Sequence, residues 1–254
     1  MRGYAALLGR ELKKWYQQPF NLFMGVVQPI VWMALFGKAL AARGAVLSGD
    51  EDYFSYMAAG MPSFVVLFTS VFSGMSIVWD RRLGFLSKVL STPVSRGAVV
   101  LSKMTAAVVR SLALVVAILL VAFLLGLDVG AGFTWYSLPI MLFGLGLMGF
   151  GLAALLVSVA VRSTKWETQM ALVNLLNLPL LFASNTLYPI SAMPEWLQVV
   201  AHGNPVSYAT DLSRQMLLDG PRWEAVLVDL GFLGAFAALF AGVGIWTSWR
   251  YLSK

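Results

Sequence analysis

Between two long apolar runs lies the segment SGMSIVWDRRLGFLSKVLSTPVSRGAVVLSK, Ser73 to Lys103, with one acid, Asp80, and five bases, Arg81, Arg82, Lys88, Arg96 and Lys103. These side chains can form ion pairs and grip a partner surface, but none is a nucleophile. Elsewhere reactive groups are sparse. The chain has no cysteine, which removes disulfides, thiolate metal sites and cysteine nucleophiles. Its single histidine, His202, has no ligand cluster around it in the sequence. No paired carboxylates or Ser-His-Asp set appears in a cavity-like context. No phosphate-cradling G-x-x-x-x-G-K-[ST] loop is present: FGKAL at Phe36–Leu40 lacks the upstream glycine and the hydroxyl residue. The pattern argues against an enzyme and against a nucleotide site on this chain.

The elements that position these charges are set by composition. Of 254 residues, 59% are hydrophobic and 12% charged, where soluble domains run to about a quarter charged. That identifies an all-α polytopic membrane protein. A helix needs about 20 apolar residues to cross the hydrocarbon. Six runs qualify: 20–41, 56–78, 99–127, 135–161, 166–187 and 225–249. Pro29, Pro62 and Pro179 fall inside spans, where neighbouring helices can satisfy the freed backbone groups.

With a cytoplasmic N-terminus, thirteen Lys and Arg fall on inside segments and four (Lys38, Arg43, Arg214 and Arg222) outside, Arg110 lying within a span. This positive-inside bias predicts both termini in the cytoplasm. The net charge of +6 flanks apolar runs instead of forming a patch, so it points to membrane lipid and not to nucleic acid. Residues 2–18 have helical periodicity, with Tyr4, Leu7, Leu8, Leu12 and Trp15 on one face and Arg10, Lys13, Lys14 and Gln17 on the other. They read as a helix lying in the membrane interface. No cleavable signal peptide precedes it.

The basic segment then falls on the cytoplasmic side between spans two and three. Asp80 to Leu90 is expected to form a short amphipathic helix, with Leu83, Leu86 and Leu90 on one side and Arg81, Arg82 and Lys88 around the rest. Thr92, Pro93 and Gly97 end it. The whole, 80–96, is a rigid elbow at the inner surface. Polar residues within spans are functional candidates because hydrocarbon penalises them. Asn174, Asn177, Ser184 and Asn185 fall in one stripe on span five, and Gln28 sits beside Pro29 on span one. They are candidates for a substrate route or a dimer interface. Residues 188–223 are too polar and proline-broken to span, and predict two short helices re-entering the outer leaflet. Gly149–Ala153 and Ala154–Ser158 have small-xxx-small spacing, read as packing within the subunit.

The segment WDRRLGFLSKVLSTPVSRGAVVLSK resembles the cytoplasmic segment of type-2 ABC exporter permeases. There an acid, a base and a glycine precede a leucine-bearing helix and a Thr-Pro-Val-Ser-Arg-like turn. Asp80, Arg82, Gly84, Leu86, Leu90, Thr92, Pro93, Ser95 and Arg96 match. Asp80 stands where glutamate is more usual, and Lys88 where an acid is common. In the outer segment Pro189, Met193–Pro194, Trp196, Asn204–Pro205 and Arg214 also match. The resemblance covers nearly the whole chain. It implies that the elbow is a coupling helix seated in a groove of a separate ATPase, present in two copies and holding ATP and Mg. It also implies a second permease copy, a homodimer being expected, with the re-entrant pair as an outer gate.

The expected function is therefore export of an amphipathic or hydrophobic, drug- or lipid-like substrate across the cell membrane by a permease that binds no cofactor itself. The Met-Pro-x-Trp form and low aromatic content of the outer segment favour this over export of a lipid-linked polysaccharide. An ion-coupled secondary transporter is a further alternative, disfavoured because Asp229 is the only carboxylate approaching a span interior. A non-transporting anchor is another.

Overall fold

A computed structural model describes residues 2–37, 53–92, 94–162 and 165–251. The sequence readings at Lys38, Arg43 and Pro93, and at the end of the first span beyond Gly37, lie outside these. The described residues are helical, with no strand among them.

Helix α1, Arg2–Tyr16, precedes α2, Pro19–Trp32, which continues as a π-helical turn over Met33–Gly37. Helices α3, Tyr53–Val71, and α4, Ser73–Arg82, are nearly continuous. A one-and-a-half-turn helix, α5, spans Phe85–Leu90. The long helices α6, Arg96–Leu124, and α7, Ser137–Arg162, follow, and then α8, Trp166–Phe182. Two short helices, α9, Glu195–His202, and α10, Pro205–Arg214, lead through a π-helical turn into α11, Trp223–Tyr251.

Among the described residues, four segments are long and apolar enough to cross a membrane: α3 with α4, α6, α7 and α11. The run Phe23–Gly37 is a shorter apolar helix. Helix α8 has 17 residues, about 26 Å at 1.5 Å per residue. At 29 residues, α6 and α11 are each about 44 Å long, which exceeds the hydrocarbon thickness and requires tilt or projection. On α11 the exposed Trp223 and Trp246 lie about 34 Å apart along the axis, the spacing of two interfacial aromatic belts.

Helix α3 is buried on nearly every side and forms the centre of the bundle. It packs against α6, α7 and α10. Glycines allow the close approaches. A Cβ on Gly149 would meet Val66 at 2.9 Å, and one on Gly60 would meet the Thr186 carbonyl at 2.9 Å. The Gly149–Ala153 spacing therefore serves packing within the chain. A second apolar cluster at the other end joins Ile77, Val78, Leu86, Val89, Val99 and Val100, beneath α5.

Two expectations are corrected. The single helix from Asp80 to Leu90 is broken at Leu83–Gly84, because Gly84 adopts φ +69°, a left-handed conformation that a helix cannot contain. Leu83 consequently points out, 71% exposed, while Leu86 is buried. The stripe on span five is also interrupted. Helix α8 ends at Phe182, so Ser184 and Asn185 belong to the following turn.

Candidate functional site

At the base of the bundle, four charges from three helices meet. Lys103 on α6 donates to Asp80 on α4 at 2.5 Å and to Glu11 on α1 at 3.0 Å. It also reaches the Ser76 hydroxyl at 3.1 Å. Arg10 approaches Asp80 at 3.3 Å and Glu11 at 3.2 Å. Lys103, Asp80 and Glu11 are each almost fully buried, and Arg10 is about one-third exposed at the edge. Two acids face two bases, so the group is neutral. In a low-dielectric interior such a set is rigid, because separating one partner leaves an uncompensated buried charge.

Arg10 also lies over the Phe85 ring, 3.4 Å from its centroid, joining α1 to the start of α5. The elbow is thus held from two sides, by Arg10 at Phe85 and by Leu86 and Val89 in the lower apolar cluster. Arg81 donates to the Val161 carbonyl at 3.1 Å, tying α4 to the end of α7. Arg82 and Lys88 are exposed, and Arg96 is half-buried at the start of α6. Thr92 turns its hydroxyl back to the Val89 carbonyl at 2.6 Å, and Ser95 caps α6 by accepting from the Ala98 amide at 3.3 Å. Asp80 therefore faces inward, and the outward surface of the elbow includes Arg82, Leu83, Ser87 and Lys88.

Directly beyond the ion group is a cavity of about 570 Å³ between α2, α3, α4, α6 and α8. Its walls are largely apolar and aromatic, with Phe64, Phe68, Trp79 and Trp166 among them. Gln28, Thr69, Ser76 and Arg110 contribute polar atoms. Three of the elements fixed by the ion group also line the cavity: α1 through Trp15, α4 through Ser76 and Trp79, and α6 through Arg110.

The polar residues of α8 separate. Asn174 is exposed on the helix surface, whereas Asn177 is buried with its Oδ1 unpartnered. Gln169, which the sequence reading did not select, is fully buried with both amide atoms unpartnered among the described residues.

The remaining two members of the expected stripe lie at the opposite end of the bundle. Ser184 donates to the Leu181 carbonyl at 2.6 Å. Asn185 donates to Asp211 and lines a polar chamber of about 430 Å³ with Arg214, Gln215 and Asp229. Gln215 donates to Asp229 at 2.9 Å. Arg214 reaches the carbonyls of Asn185 at 2.7 Å, Thr186 at 3.1 Å and Tyr56 at 3.3 Å, and stacks on the Tyr56 ring. Burial raises the Asp211 carboxyl above its usual range, a shift opposed by the Arg214 charge and the Asn185 hydrogen bond.

Asn204 caps α10 by accepting from the Val206 amide at 3.0 Å, with Pro205 at the first helical position. Its amide nitrogen donates to the Leu180 and Ala183 carbonyls at 2.7 and 2.8 Å, closing the end of α8. Pro189 and Pro194 precede the two short turns of this segment, and Trp196 projects outward, 69% exposed.

Residues 2–218 match the model of the ABC-2 type transporter family, which takes in both the ion group and the capped helices at the opposite end of the bundle. The chain belongs to that family. It is the transmembrane permease subunit of an ABC transporter. This permease is 31% identical over 215 residues, 83% of its length and 72% of the relative's, to a protein of Pyropia yezoensis named as transport permease ycf38. It is 24% identical over 216 residues (84% and 75% of the two chains) to a Mycobacterium tuberculosis protein named as doxorubicin resistance ABC transporter permease DrrC. A third relative, nodulation protein J of Sinorhizobium fredii, is 24% identical over 247 residues (95% and 92%).

The sequence motifs of the permease include Asp80 but give no sign of Glu11 or of its link to Lys103. A usable signal did exist. Apart from residues 50–52, Glu11 and Asp80 are the only acids in the first half of the chain up to Leu127, and each lies beside bases.

Proposed function

We propose that two copies of this permease and two copies of a separate ATP-binding subunit form an exporter in the cytoplasmic membrane. It moves an amphipathic or hydrophobic, drug- or lipid-like substrate outward from the cytoplasm or inner leaflet. In this reading α2 and α8 complete a six-span bundle with both termini cytoplasmic, and α1 lies at the inner interface. ATP and Mg are held by the partner, whose closure presses on the elbow at 80–96.

The observation that carries this reading is the Lys103–Asp80–Glu11–Arg10 group. It fastens α1, α4 and α6 to one another immediately above α5, and the same three helices form walls of the 570 Å³ cavity. A push on α5 therefore moves the cavity walls as a unit, where separate helices would absorb it by sliding. Release would take place past the chamber at the other end, whose helix ends are fixed by Asn204 and Arg214. The name of the Mycobacterium tuberculosis relative supports a drug-like substrate. The test is retrieval of an ATP-binding subunit with tagged permease from its native membrane. Retrieval is expected with wild type and lost when exposed Leu83 and Lys88 are both replaced by Glu; retention in that variant would place the docking surface elsewhere.

A further inference from the structure

Among the described residues, Arg110 is the only charged side chain lining this cavity. Among the described residues it has no hydrogen bond and no ion pair within reach. The acid whose field extends to it is Glu11, yet Glu11 is already held by Lys103 and Arg10. The inner ion group is neutral without Arg110, so one positive charge is left over against aromatic and aliphatic walls. An ionised group in such surroundings is costly unless an anion meets it.

The geometry points to an anionic amphiphile as the passenger of this cavity, its phosphate, sulfate or carboxylate headgroup held by the Arg110 guanidinium and its apolar body lying along Phe64, Phe68 and Met170. The guanidinium fork fits such oxyanions through two parallel hydrogen bonds. Gln28, Thr69 and Ser76 line the same space and add hydrogen-bonding groups for a headgroup. The volume of about 570 Å³ lies within the range of about 300–1,000 Å³ of sites for drug-sized ligands. A cationic amphiphile of the same length would meet unbalanced like charge. The assignment takes the export function as given and narrows its substrate class. Bilayer lipid carries anionic headgroups too, so the test separates passenger from lipid.

Purified permease in phosphatidylcholine nanodiscs is titrated with ω-bromoundecyl phosphate or with ω-bromoundecyl trimethylammonium, reading quenching of tryptophan fluorescence at Trp15, Trp79 and Trp166. Saturable quenching is expected with the phosphate probe and not with the ammonium probe. Losing a charge-assisted hydrogen bond should weaken the phosphate probe about tenfold or more in R110Q, with R110K between the two. Replacing part of the lipid with phosphatidylglycerol should leave half-saturation unchanged. Equal saturation by both probes, or an unaltered R110Q, overturns the assignment. Abolition of probe binding by phosphatidylglycerol overturns it as well, by giving the site to bilayer lipid. If R110Q fails to fold, the contrast between the two probes on wild type still decides. Binding is read on the permease alone, so absence of an ATPase partner would defeat the export reading without altering this result.

Discussion

Lys103 and Asp80 meet at 2.5 Å with 3% and 1% of their side chains exposed, and they join α6 to α4, the helix that leads into the elbow. Glu11 shares the same ammonium group at 3.0 Å. Neither acid reaches water, so each depends on this contact.

Removing one partner of such a pair costs far more than removing both. D80N and K103M alone should each destabilise the permease by about 3–5 kcal/mol. The double variant should recover a large part of that loss. Unfolding of the purified chain in mixed micelles measures it; additive losses would show that the two residues do not act as a pair.

Gly84 has open space around its missing Cβ but a φ of +69°. G84A should therefore cost about 1–2 kcal/mol through backbone strain alone, and G84N less, because asparagine tolerates this region better. Equal stability of wild type and G84A would contradict the broken-helix geometry.

Asn204 serves two helices at once, as acceptor for α10 and as donor to the end of α8. At an exposed cap Asp replaces Asn with little loss. Here N204D keeps the acceptor but leaves the Leu180 and Ala183 carbonyls facing a carboxylate. It should lose at least as much stability as N204A, about 2–4 kcal/mol from the cap and the buried carbonyls together. A fully stable N204D would remove the bridging role.

Burial raises the folded-state value of the Asp211 carboxyl above that of the unfolded chain. Its contribution to stability is complete below the unfolded value and is lost as pH rises through the raised one. D211N should abolish this decline and be no less stable than wild type at neutral pH, since an amide oxygen can still accept from Asn185. Denaturation midpoints across the acid-to-neutral range test the sign; stability rising with pH in wild type through that window would reverse it.

Hydrophobic periodicity located most of the architecture, because a span is a local property. Helices α6, α7 and α11 start and stop within three residues of the runs read from sequence. Composition also locates the two short helices α9 and α10, since Pro194 and Asn204–Pro205 are local start signals. Two local features were misjudged. The local pattern puts Gly84 inside a helix although its backbone conformation ends one, and puts Asn185 on a helix that stops at Phe182. The ion group was beyond a one-helix reading. Lys103 and Glu11 are 92 positions apart, and a helical wheel places Glu11 among Tyr4, Leu8 and Trp15 on the apolar face of α1 with no indication of which helix supplies its partner. Arg214 matches as a motif residue, but its carbonyl partners on two segments, α3 and the turn after α8, are a tertiary fact.

The most direct test of the coupling role is vanadate-sensitive ATP hydrolysis by the complex purified on tagged permease, comparing wild type with G84P, in which φ near −65° is forced where +69° is required. Hydrolysis that depends on an intact elbow, and falls to background in G84P while the permease still folds, is the expected result. Hydrolysis equal in both, or a complex with no ATPase and transport driven by ion gradients alone, would contradict the coupling role.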